Sequence, residues 1–113
     1  MITPKIKITF LGSGSAFTIG ESNFHSNLLI EDLKTSKKLL IDCGSDTRFS
    51  MQEVGLTFND IDAVYISHIH ADHTGGLEWL GFTRYFSKFT IPDLYTSHEI
   101  VKPLWNLSLI LFF

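Results

Sequence analysis

Three histidines and an aspartate fall within six positions, His68, His70, Asp72 and His73, in a chain with only five histidines in all. Imidazole nitrogen and carboxylate oxygen are donors that zinc, iron and manganese all accept, with geometry and supply deciding between them. Residues two apart in an extended segment point to the same side, so His68 and His70 can face one ion together. Once the backbone turns, Asp72 and His73 can face a second. Two ions about 3.5–4 Å apart can share a bridging hydroxide, polarise a substrate oxygen and stabilise a leaving group. The lowered pKa of metal-bound water supplies a nucleophile at neutral pH. Asp72 is the expected catalytic group, because it could both hold an ion and orient or accept the proton of that water. Surface or turn histidines without a metal are the bland alternative, and the density of the cluster argues against it.

Such a cluster needs elements to hold it. Ala63-Val64-Tyr65-Ile66 is a continuous β-prone run leading directly into it, the kind of strand expected to be covered on both faces. Gly75 and Gly76 behind it allow a tight turn. A helix is expected from Gly76 to about Lys88, with Leu77, Leu80 and the aromatics Trp79, Phe82, Tyr85, Phe86 and Phe89 toward the core. Upstream, Lys5 to Leu11 alternates with Ile6, Ile8 and Phe10 on one face, as a half-buried strand does. A glycine- and serine-rich loop extends to Ser26, Asn27 to Glu31 reads as a second strand and Leu39 to Ile41 as a third, ending at Asp42-Cys43-Gly44. Ser45 to Val54 has helical character, with Phe49 and Glu53 at helical spacing and Gly55 as its stop. Thr57-Phe58-Asn59-Asp60 has the form of a capping box. Pro92 to Thr96 reads as another strand, His98 to Asn106 as a final helix, and the apolar run Leu107 to Phe113 as a strand or an unpartnered end. Strands first, then helices alternating with strands, predict an α/β layered domain.

The 113 residues allow one small domain. A net charge of -3, with the nine basic residues scattered, argues against a chain built mainly to coat nucleic acid or an anionic membrane. Cys43 is the single cysteine, so no internal disulfide and no zinc-finger pattern exist. No apolar signal-peptide core is found at the N-terminus, so a cytoplasmic location is expected.

Ser67 to Gly76 resembles the His-x-His-x-Asp-His signature of the metallo-β-lactamase superfamily. Phe10-Leu11-Gly12-Ser13-Gly14-Ser15-Ala16 resembles the opening strand and glycine loop of its ribonuclease Z-like branch. Leu40-Ile41-Asp42-Cys43-Gly44 is similar to the segment that places a supporting aspartate below the metals, and Gly76-Leu77 to the start of the next helix. The resemblance implies an αβ/βα sandwich, of which residues 1–113 form the N-terminal half, and two divalent metal ions, Zn2+ first with Mn2+ or Fe2+ as alternatives. It implies His68 and His70 on the first ion, Asp72 and His73 on the second, and Asp42 bracing the loop that carries them. The second half of such a domain supplies a further histidine, a bridging aspartate and a last histidine, expected beyond Phe113.

The function this implies is metal-dependent hydrolysis with metal-bound hydroxide as nucleophile, by a phosphodiesterase or ribonuclease Z-like enzyme. A hydrolase of small esters, lactones or thioesters, or an inactive metal-binding fragment, are the alternatives. The expected partner is a small-molecule or RNA phosphodiester, with no membrane and with a homodimer left open. Other polar residues read blandly. His25, in the early loop near the expected site mouth, could contact substrate but is read first as a solvated loop histidine; His98 is read as a capping or surface residue before a metal ligand, and Cys43 as a small buried one. The Gly12 to Ser15 loop could present backbone amides to an anion, or be a simple tight turn.

Overall fold

The computed structural model describes residues 2–87 and 90–106. Strands β1 (Ile6–Gly12), β2 (Asn27–Asp32), β3 (Lys38–Ile41), β4 (Ala63–Ile66) and β5 (Asp93–Thr96) form one sheet in the order β1-β2-β3-β4-β5. The first two pairings are antiparallel, the last two parallel. Parallel neighbours need a crossover. Helix α1 (Thr47–Glu53) supplies the first, and α2 (Ala71–Thr74) with α3 (Leu77–Phe86) the second. Helix α4 (His98–Leu104) follows β5. The α/β class and every strand and helix predicted from the described residues are present, with ends shifted by a few residues. The reading of Phe89 as core, and of Leu107 to Phe113 as a strand, lies outside the described residues.

Local chemistry accounts for the boundaries. Helix α1 stops where Val54 gives way to Gly55 at φ 77, a left-handed position that favours glycine. The Thr57–Asp60 capping box closes a 3-10 turn at Phe58–Asp60, with the Thr57 hydroxyl accepting from the Asn59 N–H at 3.3 Å and Asp60 accepting from the Thr57 N–H at 2.7 Å.

Helices cover one face of the sheet. Leu29, Leu40 and Val64 lie in one cross-strand row and are fully buried, against Met51 of α1, Leu77 and Leu80 of α3 and Leu104 of α4. Arg84 pins α3 to the loops below it. Its buried guanidinium donates to the carbonyls of Phe58 and Ile61, each at 2.8 Å, and of Thr90 at 2.7 Å. Burial holds its pKa below the usual guanidinium value.

Two expectations need correction. Strand β4 is covered on one face only, since Val64 and Ile66 are buried while Tyr65 is 39% exposed. The aromatics of α3 do not fill the core. Phe82, Tyr85 and Phe86 are exposed, stacked against one another along the outer side of the helix, and of this set only Trp79 packs on the core. Leu77 and Leu80 already occupy the inward positions, so residues on the opposite side of the helical turn are left outside. Phe49 likewise faces solvent, and α1 buries Thr47, Ser50 and Met51 instead.

Candidate metal centre

Strands β3 and β4 end side by side and deliver the two segments of the site. Directly after β3, Asp42 adopts a left-handed backbone, φ 65, which a short polar side chain tolerates better than most. Its N–H donates to the Tyr65 carbonyl at 2.8 Å, and its own carbonyl accepts from the Asn27 side-chain amide. Both neighbouring strands therefore fix its direction. The Asp42 side chain is 9% exposed, and burial of a charge is tolerated only when donors surround it. It accepts from the Ser67 N–H at 2.8 Å and the Ser67 hydroxyl at 2.7 Å, and lies 2.7 Å from His73 Nδ1. One carboxylate thus ties together the residues just before and at the end of the histidine run.

The backbone reinforces this tie. Cys43 N–H donates to the His73 carbonyl at 2.7 Å, Ser45 N–H to the Ala71 carbonyl at 3.1 Å, and Gly76 N–H to the Cys43 carbonyl at 2.8 Å. The two turns lie so close that a Cβ at Gly44 would collide with the carbonyl oxygen of Asp72. Cys43 is fully buried between them, and burial pushes its thiol up to about 12, so it acts as packing rather than as a nucleophile.

The structure brings all four residues of the cluster to the loop and short helix after β4. His68 and His70 are exposed, Asp72 and His73 half-buried. The His68 ring centroid stands 4.9 Å from that of His70, edge-on at 86°, and 3.8 Å from that of His73. His73 Nε2 lies 3.0 Å from Asp72 Oδ2. When Nδ1–H donates to Asp42, Nε2 turns a lone pair toward the Asp72 carboxylate, a repulsion that a divalent cation between them relieves. Nitrogen and oxygen ligands, each about 2.0–2.2 Å from one zinc ion, stand at comparable separations. The Asp72–His73 pair, buttressed by Asp42, therefore fits a divalent ion in donor type and spacing. Among the described residues, no group of three or more His, Cys, Asp or Glu side chains is arranged to hold an ion. His68 and His70 stand beside the pair rather than converging with it.

His25 departs from expectation. Its side chain is only 12% exposed and packs against Asp46 and the Gly44 turn, so it is not a solvated loop residue. His98 is the exposed first residue of α4, behind Ser97 at the cap position. The Gly14 amide is not presented to an anion, since it donates to the Phe24 carbonyl at 2.8 Å. Sequence reasoning missed Ser67, Asn27 and Asp46. Only Ser67 carried a signal, its place directly before His68. The partners of the other two are visible only once β2, β3 and α1 are assembled.

A family model described as Anti-Pycsar protein Apyc1 matches residues 6–111. The chain belongs to the Apyc1 family. It is 39% identical over 104 residues to the Apyc1 of Paenibacillus sp. (strain J14), covering 92% of this chain and 41% of the relative. To the Apyc1 of Paenibacillus harenae it is 42% identical over 102 residues, covering 90% and 41%. The chain thus spans about 41% of the length of these curated Apyc1 relatives. Among solved structures, the metallo-β-lactamase fold protein YhfI from Bacillus subtilis aligns with TM-score 0.74 and 26% identity, over 89% of this chain and 40% of that one. A diphosphatase of the PhnP family aligns at 0.69 and 25%, over 90% and 45%. The short form of human tRNase Z aligns at 0.67 and 27%, over 88% and 38%. The fold is that of the metallo-β-lactamase proteins, and within it Apyc1 is a more specific family than the ribonuclease Z-like branch the opening loop resembles. Among the described residues no helix is long and apolar enough to cross a membrane.

Proposed function

We propose that this Apyc1-family chain carries the metal-binding loop of a divalent-metal-dependent phosphodiesterase, that the ions are zinc, and that the substrate is a small phosphodiester such as a nucleoside cyclic phosphate. The observation that carries the reading is the line Asp42–His73–Asp72. A buried carboxylate fixes the imidazole tautomer through Nδ1 and leaves Nε2 facing a second carboxylate 3.0 Å away. Hydrogen bonding of this kind behind a ligating histidine orients the ring and raises its basicity. Family membership, and fold neighbours named as a diphosphatase and a tRNase, support phosphate-ester chemistry over other hydrolyses.

His68 and His70 would hold one ion, Asp72 and His73 the other, with residues 1–113 as the first half of the domain. The ions would supply Lewis-acid polarisation of the phosphoryl group. The protein's own residues do the positioning. Asp42 and Ser67 lock the strand end, the Cys43–His73 and Gly76–Cys43 hydrogen bonds hold the loop against the sheet, and Asp72 would accept a proton from an attacking water.

The test is hydrolysis by the zinc- or manganese-supplied protein of a nucleoside 3′,5′-cyclic phosphate and, in parallel, of a lactone. Turnover of the phosphodiester, abolished by His70→Ala, is expected. Turnover of the lactone alone would overturn the reading. Asp42→Asn should weaken zinc binding about 10- to 100-fold in competition with a chromophoric chelator. Unchanged affinity would remove Asp42 from its bracing role.

A further inference from the structure

At the same end of the sheet a second carboxylate–imidazole pair stands beside the metal loop, formed by His25 and Asp46. Asp46 occupies the N-cap position of α1, where a carboxylate ordinarily accepts from the first free N–H groups of the helix. It makes no such side-chain cap. Instead both oxygens turn to His25, Oδ2 accepting from the His25 backbone N–H at 3.0 Å and Oδ1 lying 3.2 Å from the ring Nδ1. That second contact has the distance of an ion pair but lies off the hydrogen-bond axis, and among the described residues Nδ1 has no other partner.

Position is fixed from two more sides. The backbone around His25 is tied to the opening loop, Gly14 bridging to His25 while the Ser26 N–H donates to the Gly14 carbonyl at 2.9 Å. A Cβ on Gly44 would stand 3.2 Å from His25 Nδ1 while colliding with the Asp72 carbonyl, so the imidazole and the metal loop flank the same glycine. Among the described residues, Nε2 is not one of the sealed unpaired atoms and has no hydrogen-bond partner, so it opens to solvent. The arrangement has the logic of a carboxylate that holds one imidazole nitrogen so that the other can act on a substrate. In apo geometries such contacts are often loose and tighten when substrate arrives.

We propose that His25, held by Asp46, is a substrate-contacting residue that carries a proton on both ring nitrogens in the complex, Nδ1–H facing Asp46 and Nε2–H donating a hydrogen bond to a phosphoryl oxygen of the phosphodiester. The assignment rests on the phosphodiesterase reading for its ligand, and on the His25–Asp46 geometry for its place. An imidazole there sets a donor beside the turn that carries Asp72.

Two measurements test it on the zinc-supplied protein. In long-range 1H–15N spectra of protein labelled at histidine, the His25 Nε2 signal, identified by its loss in His25→Gln, should shift on titration with dimethyl phosphate. A signal that stays put at saturating dimethyl phosphate overturns the proposal. In kinetics on a nucleoside 3′,5′-cyclic phosphate, His25→Ala should lower kcat/KM about 100-fold. His25→Gln, which keeps an N–H donor, should recover part of the loss, and Asp46→Asn should fall about tenfold. Values for His25→Ala within twofold of the parent, with the fold intact by thermal melting, also overturn it. A shifting His25 signal without hydrolysis of the cyclic phosphate would sink the phosphodiesterase reading and leave the contact standing. Hydrolysis with a silent His25 would do the reverse.

Discussion

The two faces of the sheet carry the same kinds of residue and meet opposite fates. On one, the row Leu29, Leu40 and Val64 is sealed under three helices. On the other, the row Phe10, Leu28, Ile41, Tyr65 and Tyr95 runs unbroken across all five strands, with Phe10 73% exposed and Tyr95 55%. A second apolar row, Ile8, Ile30, Leu39 and Ala63, lies beside it. Strands exposed to water on one side normally alternate apolar and polar; β2, β3 and β4 are apolar on both sides, and β1 alternates but turns its apolar side, Ile6, Ile8 and Phe10, outward. The strands encode two apolar surfaces, and the helices of this chain choose one. The histidine-bearing loop after β4 sits at the strand ends, where both faces meet.

The largest difference between the faces should appear in stability. Leu40→Ala, in the covered row, should cost about 3 kcal/mol in urea unfolding, since it removes buried methyl groups and leaves a cavity. Ile8→Ala, in the bare row, should cost about 0.5 kcal/mol or less. Equal costs would mean that the open face is covered in solution.

A smaller effect probes the seam between the covered face and the loop. Cys43 is raised from 9.0 to about 12 in the folded chain by burial. The unfolded chain therefore releases its thiol proton first as pH rises. This contribution is intact below pH 9 and is lost between pH 9 and about 12, at roughly 1 kcal/mol per pH unit. Cys43→Ala should flatten the alkaline limb of stability against pH. Alkylation of Cys43 by iodoacetamide at pH 8 should likewise require unfolding, and rapid reaction in the native state would contradict the sealed packing.

The smallest expected change in stability comes from making the bare face polar. Ile8→Thr with Tyr95→Thr should leave the unfolding midpoint nearly unmoved while reducing self-association in light scattering. A marked loss of stability would show that the open rows already pack against something.

Much of the scaffold was legible in order and type, because strand alternation, glycine stops and the Thr57–Asp60 box are local signals. Helix α3 shows where this ends. Its start after Gly76 and its inward leucines could be read, but its outward aromatics looked like core because composition alone does not say which side of a helix is covered. His25 failed for a related reason, since a loop histidine looks solvated until a carboxylate from α1 is brought against it.

By itself, then, the sequence determined the donor chemistry of His68, His70, Asp72 and His73 and the strand and turn that present them, because these depend on residue type and spacing over a few positions. Only the tertiary structure decided that Asp42 reaches His73 across 31 residues, that Asp46 abandons its helix cap for His25, and which apolar face the helices cover. Alternation along a strand defines two faces without ranking them. The parallel pairing of β3 with β4 is what sets their ends, and the side chains those ends carry, within hydrogen-bond distance.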